Sequence, residues 1–383
     1  MMKSKLKKKA SLLLAGVLGV SAVLTGCGSG SSDEVIKLGG TFTLTGNLSA
    51  SGEFCNQGLE LFLEDMEGVE VLGKKVEIIV EDAGSDQQTV INATNKMIAR
   101  EDISAVFGVG NTSADALAVS DVIKESEIPH FVFGSSAKLH VDNPYMLLGR
   151  MSDDHSGKLF AYAAVETLEM KKPAILNVSD AFGTSLRDEV MKNLKETYGI
   201  EPVLVASYNV DEKNYVPLLT QIKDSGADGL IAIGQNFDAA LVAKAAQSMG
   251  LSIPKLGSAS YCSVITAEAA GDAINGWYSI GDWSPNPTNE KGKEFVERFV
   301  EKYGTKPDKA AVITYDAYSL MVEAIKIAGA SDKASVLEGL KQVKDFEGVM
   351  GTYSWHDDQS LINSQPLVIM EAGEAQVVEQ VYR

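Results

Sequence analysis

Residues 105–136 read AVFGVGNTSADALAVSDVIKESEIPHFVFGSS, and the fold follows from them. Residues 105–108 are a short β-rich run ending in glycine. Gly110-Asn111-Thr112-Ser113 then opens a helix expected over 114–124. A second β-rich run, 130–133, follows Pro129 and ends in Gly134-Ser135-Ser136. Strand, polar loop, helix and strand again is a βα unit, and such units in series build a parallel sheet flanked by helices.

The same alternation extends in both directions. Upstream lie strand-like runs at 35–42 and 76–81. They are followed by a helix expected over 87–100, with Val90, Ala93, Met97 and Ile98 on one face and Asp86 as its N-cap. Downstream, a second set has strands at 173–178, 203–207 and 229–233 and helices at 184–198, 215–224 and 238–249. Two sets predict two doubly wound α/β domains side by side, which suits a chain too long for one ordinary core. The tail adds long helices at 290–303 and 310–328 but few strands. It is expected to complete the first domain, while 351–355 and 367–370 rejoin the second. The lobes are then 35–148 with 284–347, and 149–283 with 348–383. Three crossings fall near 148–151, 277–283 and 348–353.

The beginning of the chain is of a different kind. Lys3, Lys5, Lys7, Lys8 and Lys9 precede an apolar run over 10–23, which stops at Leu24-Thr25-Gly26-Cys27. A positive head, a short apolar stretch and small residues mark an export signal over 1–26. The run holds about 14 residues, whereas a membrane span needs roughly 20. Leu24–Cys27 resembles the bacterial lipobox, which implies acylation of Cys27, and two or more acyl chains anchor stably. Residues 27–34, rich in Gly and Ser, form a flexible tether. The expected location is the outer face of the cytoplasmic membrane, most commonly in a Gram-positive cell, with a Gram-negative periplasm left open.

Formal charge falls from −18 to −23 once the five lysines of the leader are set aside. That balance argues against nucleic acid and against anionic lipid held by a basic patch. Cys55 and Cys262 are too few for a disulfide scaffold, and they fall in different halves of the expected fold, so no bridge is expected. His130, His140, His155 and His356 are scattered without metal-ligand spacing. No metal or cofactor is expected.

Gly68–Lys75 nearly spells a phosphate-binding loop, but Lys75 replaces the required hydroxyl and a strand follows, so it reads as a turn. Gly108-Val109-Gly110 lacks the third glycine of a dinucleotide fingerprint. No Gly-x-Ser-x-Gly or His-Glu-x-x-His occurs, and Asp153-Asp154-His155 reads as a polar helix start. Nothing here asks for an enzyme. What remains are small polar residues at strand ends: Thr112-Ser113, Ser135-Ser136, residues 179–183, 234–238 and 257–261. Ligands of open parallel sheets bind at this edge. Each hydroxyl taken singly reads as an N-cap; five such loops on two facing sheets point to a cleft.

Taken together, residues 105–136 with Val119-Ser120-Asp121, Asp180–Gly183, Ala269–Asp272, Ile313–Ala317 and 346–355 resemble the leucine/isoleucine/valine-binding proteins of ABC transporters. The resemblance covers nearly all of 35–383 and implies the type I periplasmic binding fold: two lobes joined by a three-strand hinge, closing like a Venus flytrap. It implies that Thr112 and Ser113 grip a ligand carboxylate and that Ser135 and Ser136 lie near the ligand amine. Phe182 closes the pocket from the second lobe, where relatives often have tyrosine. Asn236 and Phe237 fall where another aromatic lines it, and Ser51, beside Gly52, lies on the first-strand loop. The acid that pairs with the ligand ammonium aligns with Ala259. Loss of such a partner costs about 3–5 kcal/mol, so Asp238, Asp180 or Glu53 substitutes for it, or the ligand lacks an amine. Cysteines usual in the amino-acid relatives are also missing around Ala83 and Asn111.

The expected function is a monomeric, lipid-anchored receptor that passes a small carboxylate-bearing ligand to ABC permease and ATPase subunits. The alternative is a sensor of the same fold that feeds signalling instead of transport. An enzyme built on the fold would need a nucleophile or metal set that the sequence does not offer.

Overall fold

Strands alternate with helices from residue 35 onward in the computed structural model, which describes residues 35–382 except Asn111, Asp142 and Asp211. The export signal, the tether and Cys27 lie outside the described residues. The first sheet contains β1 (Val35–Phe42), β2 (Lys75–Asp82), β3 (Ile103–Gly108), β4 (His130–Val132) and β5 (Met146–Leu148). Its order is β2-β1-β3-β4-β5, and every neighbouring pair is parallel. Central β3 is buried at all six positions, as a strand covered on both faces must be. The turn at Gly68 and Gly73, both at positive φ, leads into β2 as its sequence suggests.

Helices α1 (Ser49–Asp65), α2 (Gln87–Ile98), α3 (Ser113–Ala118) and α4 (Ser120–Ser126) accompany these strands. Asp86 caps α2 by accepting the Thr89 N–H at 3.0 Å. The single helix expected over 114–124 is broken in two. Buried, β-branched Val119 takes φ −112° and ψ 6°, ending α3, and Ser120 starts α4.

The second unit holds α5 (Asp153–Tyr162), β6 (Pro173–Val178), α6 (Ala181–Tyr198), β7 (Leu204–Tyr208) and α7 (Val216–Asp224). It continues with β8 (Gly229–Ile233), α8 (Asn236–Ser248), β9 (Lys255–Gly257), α9 (Val264–Ala270) and β10 (Tyr278–Ile280). The chain then forms α10 (Glu290–Tyr303), α11 (Lys309–Ala328) and α12 (Lys333–Leu340), which pack back toward the first sheet. Phe54 of α1 stacks on Phe299 of α10 with centroids 6.1 Å apart. Gly58 of α1 touches α11 so closely that a Cβ would overlap the Ala311 carbonyl oxygen.

One expectation needs correction. The strand expected over 351–355 does not join the second sheet. Only Thr352–Tyr353 (β12) is a strand, and it pairs with β11 (Phe346–Glu347) in a separate two-stranded ribbon. Buried Asp316 of α11 explains this. Its carboxylate accepts the Val349 and Met350 N–H groups, both at 2.8 Å, and the Tyr353 hydroxyl at 2.7 Å, pinning the ribbon to the helix. The second sheet is completed by β13 (Ser364–Glu371) and β14 (Glu374–Tyr382), in the order β14-β13-β10-β9-β8-β6-β7. β13 is antiparallel to both β10 and β14.

The chain therefore passes between the sheets three times, and the passages are tied together. Arg150 Nε donates to Asp282 at 2.9 Å, Ser152 Oγ to Asp358 at 3.2 Å, and Leu148 N–H to the Gln359 carbonyl at 3.0 Å. Cys55 and Cys262 are each buried and unpaired.

Candidate binding site

Each sheet has one place where chain order reverses. In the first, β1 is flanked by β2 and β3; in the second, β6 is flanked by β7 and β8. The crevice beyond the carboxyl ends of such strands is where open α/β sheets take ligands. Ser51 follows β1, Thr112 and Ser113 follow β3, Phe182 follows β6, and Asn236, Phe237 and Asp238 follow β8.

The loop after β3 is strained. Val109 has φ 67° between Gly108 at 129° and Gly110 at 64°, a region that β-branched residues avoid. The Thr41 hydroxyl accepts the Val109 N–H at 2.7 Å and holds it there. Thr112 caps α3, accepting the Asp115 N–H at 3.1 Å and donating to its carboxylate at 2.8 Å, so its proton is already engaged. Ser113 is buried, and its oxygen accepts both the Ser135 and Ser136 N–H groups at 3.1 Å. That arrangement fixes two strand-end loops to each other, and the Ser113 O–H meets no acceptor among the described residues. Ser136 is also buried, and among the described residues its oxygen meets only the Lys138 N–H, at 3.5 Å.

From Ser135 the contacts continue across the molecule. The Ser135 carbonyl accepts the Asp153 N–H at 2.7 Å, and the Ala137 N–H reaches Ser185 Oγ on α6 at 3.2 Å. Burial pushes the Asp153 carboxyl up to about 7, against the opposing pull of Ser135, Arg150 and Ser185. Arg150 lies 5.8 Å from the centre of the Phe182 ring while holding Asp282. Asp282 also pairs with Lys309 at 3.3 Å and accepts from Gln365 at 3.2 Å. Burial alone would raise the Asp282 carboxyl, but Arg150 and Lys309 together hold it below its ordinary value. Ala259 is buried in a short 3₁₀ turn and lines one small cavity with Asp282 and Lys309.

The remaining expected residues form a different group. Asp238 is buried and completes a capping box with Gln235, accepting its N–H at 3.2 Å and the Tyr215 hydroxyl at 3.1 Å. Burial raises its carboxyl above the ordinary range. Asp180 accepts from the Gly183 N–H at 2.7 Å and Gln235 Nε2 at 3.1 Å. The Asn236 carbonyl accepts the Thr266 hydroxyl at 3.1 Å. Phe237 is 55% exposed, with the Lys213 ammonium 4.2 Å from its ring centre. Ser51 is half-buried in the first turn of α1, beside a Gly52 that packs on the Thr43 carbonyl. The structure thus joins Ser113, Ser135, Ser136, Phe182 and Ala259 through a chain of contacts, and leaves Phe237 at the surface. Arg150, Asp282 and Lys309 belong to that chain and were not singled out by sequence, and Asp153, which also belongs to it, was read only as a polar helix start. The signal present was an acid or base placed just beyond a strand end or at a crossing.

The sequence profile of the periplasmic binding protein family matches residues 35–376. The chain belongs to this family. Among its relatives is the Leu/Ile/Val-binding protein homolog 1 of Brucella abortus (strain 2308). It is 25% identical over 351 residues, covering 90% of this chain and 92% of the relative. Similar structures include the branched-chain amino acid transporter substrate binding protein of Streptococcus pneumoniae in complex with isoleucine. Its TM-score is 0.81 at 23% identity, covering 91% of this chain and all of that one. A solute binding protein of an ABC transporter from Rhodopseudomonas palustris BisB5, in complex with 3,4-dihydroxybenzoic acid, also has a TM-score of 0.81. It is 21% identical, covering 91% of this chain and 98% of that one. The family's type I architecture, mixed α/β with parallel sheets in two lobes, is the one described above.

Proposed function

We propose that this chain is the solute receptor of an ABC importer, held outside the cytoplasmic membrane by lipid on Cys27. It captures a small carboxylate-bearing ligand between its lobes, with boundaries near 148, 283 and 347. What carries the reading is the Ser113–Ser135–Ser136 junction. A buried hydroxyl there locks two strand-end loops together at a switch point, and among the described residues its own proton has no acceptor. The relatives bind isoleucine in one case and an aromatic acid in another, and a carboxylate is common to both ligands. Closure of the lobes over the ligand, which binds the closed state more tightly, would be what the permease reads.

Calorimetric titration of the purified protein with isoleucine and with 3,4-dihydroxybenzoate tests this. At least one should bind, and Ser113→Ala combined with Ser136→Ala should weaken that binding at least tenfold. Melting curves must show both proteins folded, because the lost serine also leaves two N–H groups unpaired. Unchanged affinity in a folded double variant places the carboxylate elsewhere.

A further inference from the structure

Folding assembles one cluster that spacing along the chain hides. Asp154 and His155 lie in the first turn of α5, just past the first passage between the sheets, and Asp358 lies on the third. His155 Nε2 stands 3.4 Å from Asp358 Oδ2 and 3.9 Å from Asp154 Oδ2. One donor atom from each of the three side chains lies within 4.8 Å of the other two. Such distances tell two arrangements apart. An imidazolium bonded directly to a carboxylate draws it in to about 2.7–2.9 Å. Donor atoms that share a tetrahedral cation, each about 2.1 Å from it, stand about 3.4 Å apart. Both gaps exceed the first spacing, and the shorter one matches the second.

The surroundings fit the second arrangement too. The fully buried Ser152 hydroxyl bonds to Asp154 Oδ1 and also lies 3.2 Å from Asp358 Oδ2. Asp358 Oδ1 accepts the Ser360 N–H at 3.2 Å and the Ser360 hydroxyl at 2.8 Å. Serines thus hold Oδ1 of each carboxylate, as ligating carboxylates are held from behind, while both Oδ2 atoms turn to the imidazole. With a neutral imidazole the three groups carry two negative charges, which a dication cancels. The Asp358 side chain is 8% exposed but that of Asp154 is 32% exposed, which leaves an ion a way in from solvent. We propose that Asp154, His155 and Asp358 bind a first-row divalent cation, with zinc favoured because it takes both imidazole nitrogen and carboxylate oxygen. Water completes its shell. An ion there ties the start of α5 to the third passage, and the site stands whether or not the receptor reading holds.

The test is calorimetric titration of ZnCl2 into the untagged protein after dialysis against a chelator. One zinc ion per chain should bind, with a Kd below about 10 µM. Asp154→Asn and His155→Asn, both at partly exposed positions, should each weaken binding at least tenfold. Melting curves check that each variant is folded, and zinc should raise the midpoint of the wild type more than that of either variant. Should one variant fail to fold, the other decides. CaCl2 and MgCl2 should bind at least tenfold more weakly than ZnCl2, because those ions take oxygen shells. Weaker zinc binding than stated, or a loss of less than tenfold in a folded variant, overturns the proposal, and His155 then bridges the two carboxylates without a metal. Calcium or magnesium binding within tenfold of zinc overturns the choice of ion.

Discussion

Asp153 sits at the first turn of α5, 1% exposed, with its N–H on the Ser135 carbonyl. Its carboxyl is pushed up to about 7 by burial. Between its ordinary value of 3.8 and about 7, the folded protein keeps a proton that the unfolded chain has released. Stability must therefore fall as pH rises through that window. His130, fully buried and pushed down to about 4, acts oppositely: the unfolded chain takes up a proton first, so stability falls as pH drops below 6.5. Comparison with Asp153→Asn cancels the His130 contribution. Urea melts should show wild type losing stability relative to the variant between pH 4.5 and 7.5. A difference constant across that range would mean that Asp153 does not titrate in it. Ser113, Ser135 and Ser136 stood out in the sequence as hydroxyls in strand-end loops; each taken singly read as an N-cap, and only five such loops together pointed to a cleft. Asp153 was read as an ordinary helix start, the role its position also serves. Arg150, Asp282 and Lys309 were silent, because their pairing depends on how three distant passages of chain come together.

At the scale of elements, α1 and α11 approach closely. Gly58 lets the backbones touch, and Ala311 lies directly against it. Gly58→Ala should shift the urea midpoint down by the equivalent of about 1–3 kcal/mol, the usual cost of overpacking. An unchanged midpoint would show that the two helices can slide apart at no cost. Helix propensity, which favours alanine by about 1 kcal/mol, works against this loss, so a clear drop isolates the contact. The long strands β1, β6 and β8 and the helices α6, α10 and α11 were readable to within about three residues, because burial and periodicity are written into each segment. β5, β9 and β10 are three residues each and take their pairing from neighbours. β12 was misplaced for a related reason. Its partner was chosen by the Asp316 carboxylate, which lies on a helix some 35 residues earlier and cannot be seen in the local pattern.

For the molecule as a whole, each sheet is finished by chain that arrives late. α1 is covered by α11, and β10 lacks one neighbour until β13 pairs with it. These are contacts of high sequence separation, which form slowly and reward the chain only once its ends meet. A chain ending at Gly304 should be digested by protease under conditions in which the full chain resists. Equal resistance would show that the early segments fold without the tail. Such an order of assembly sets a schedule as well as a shape. With the cover of one half and the edge of the other both encoded after residue 308, a shortened or still-growing polypeptide lacks contacts that close either core.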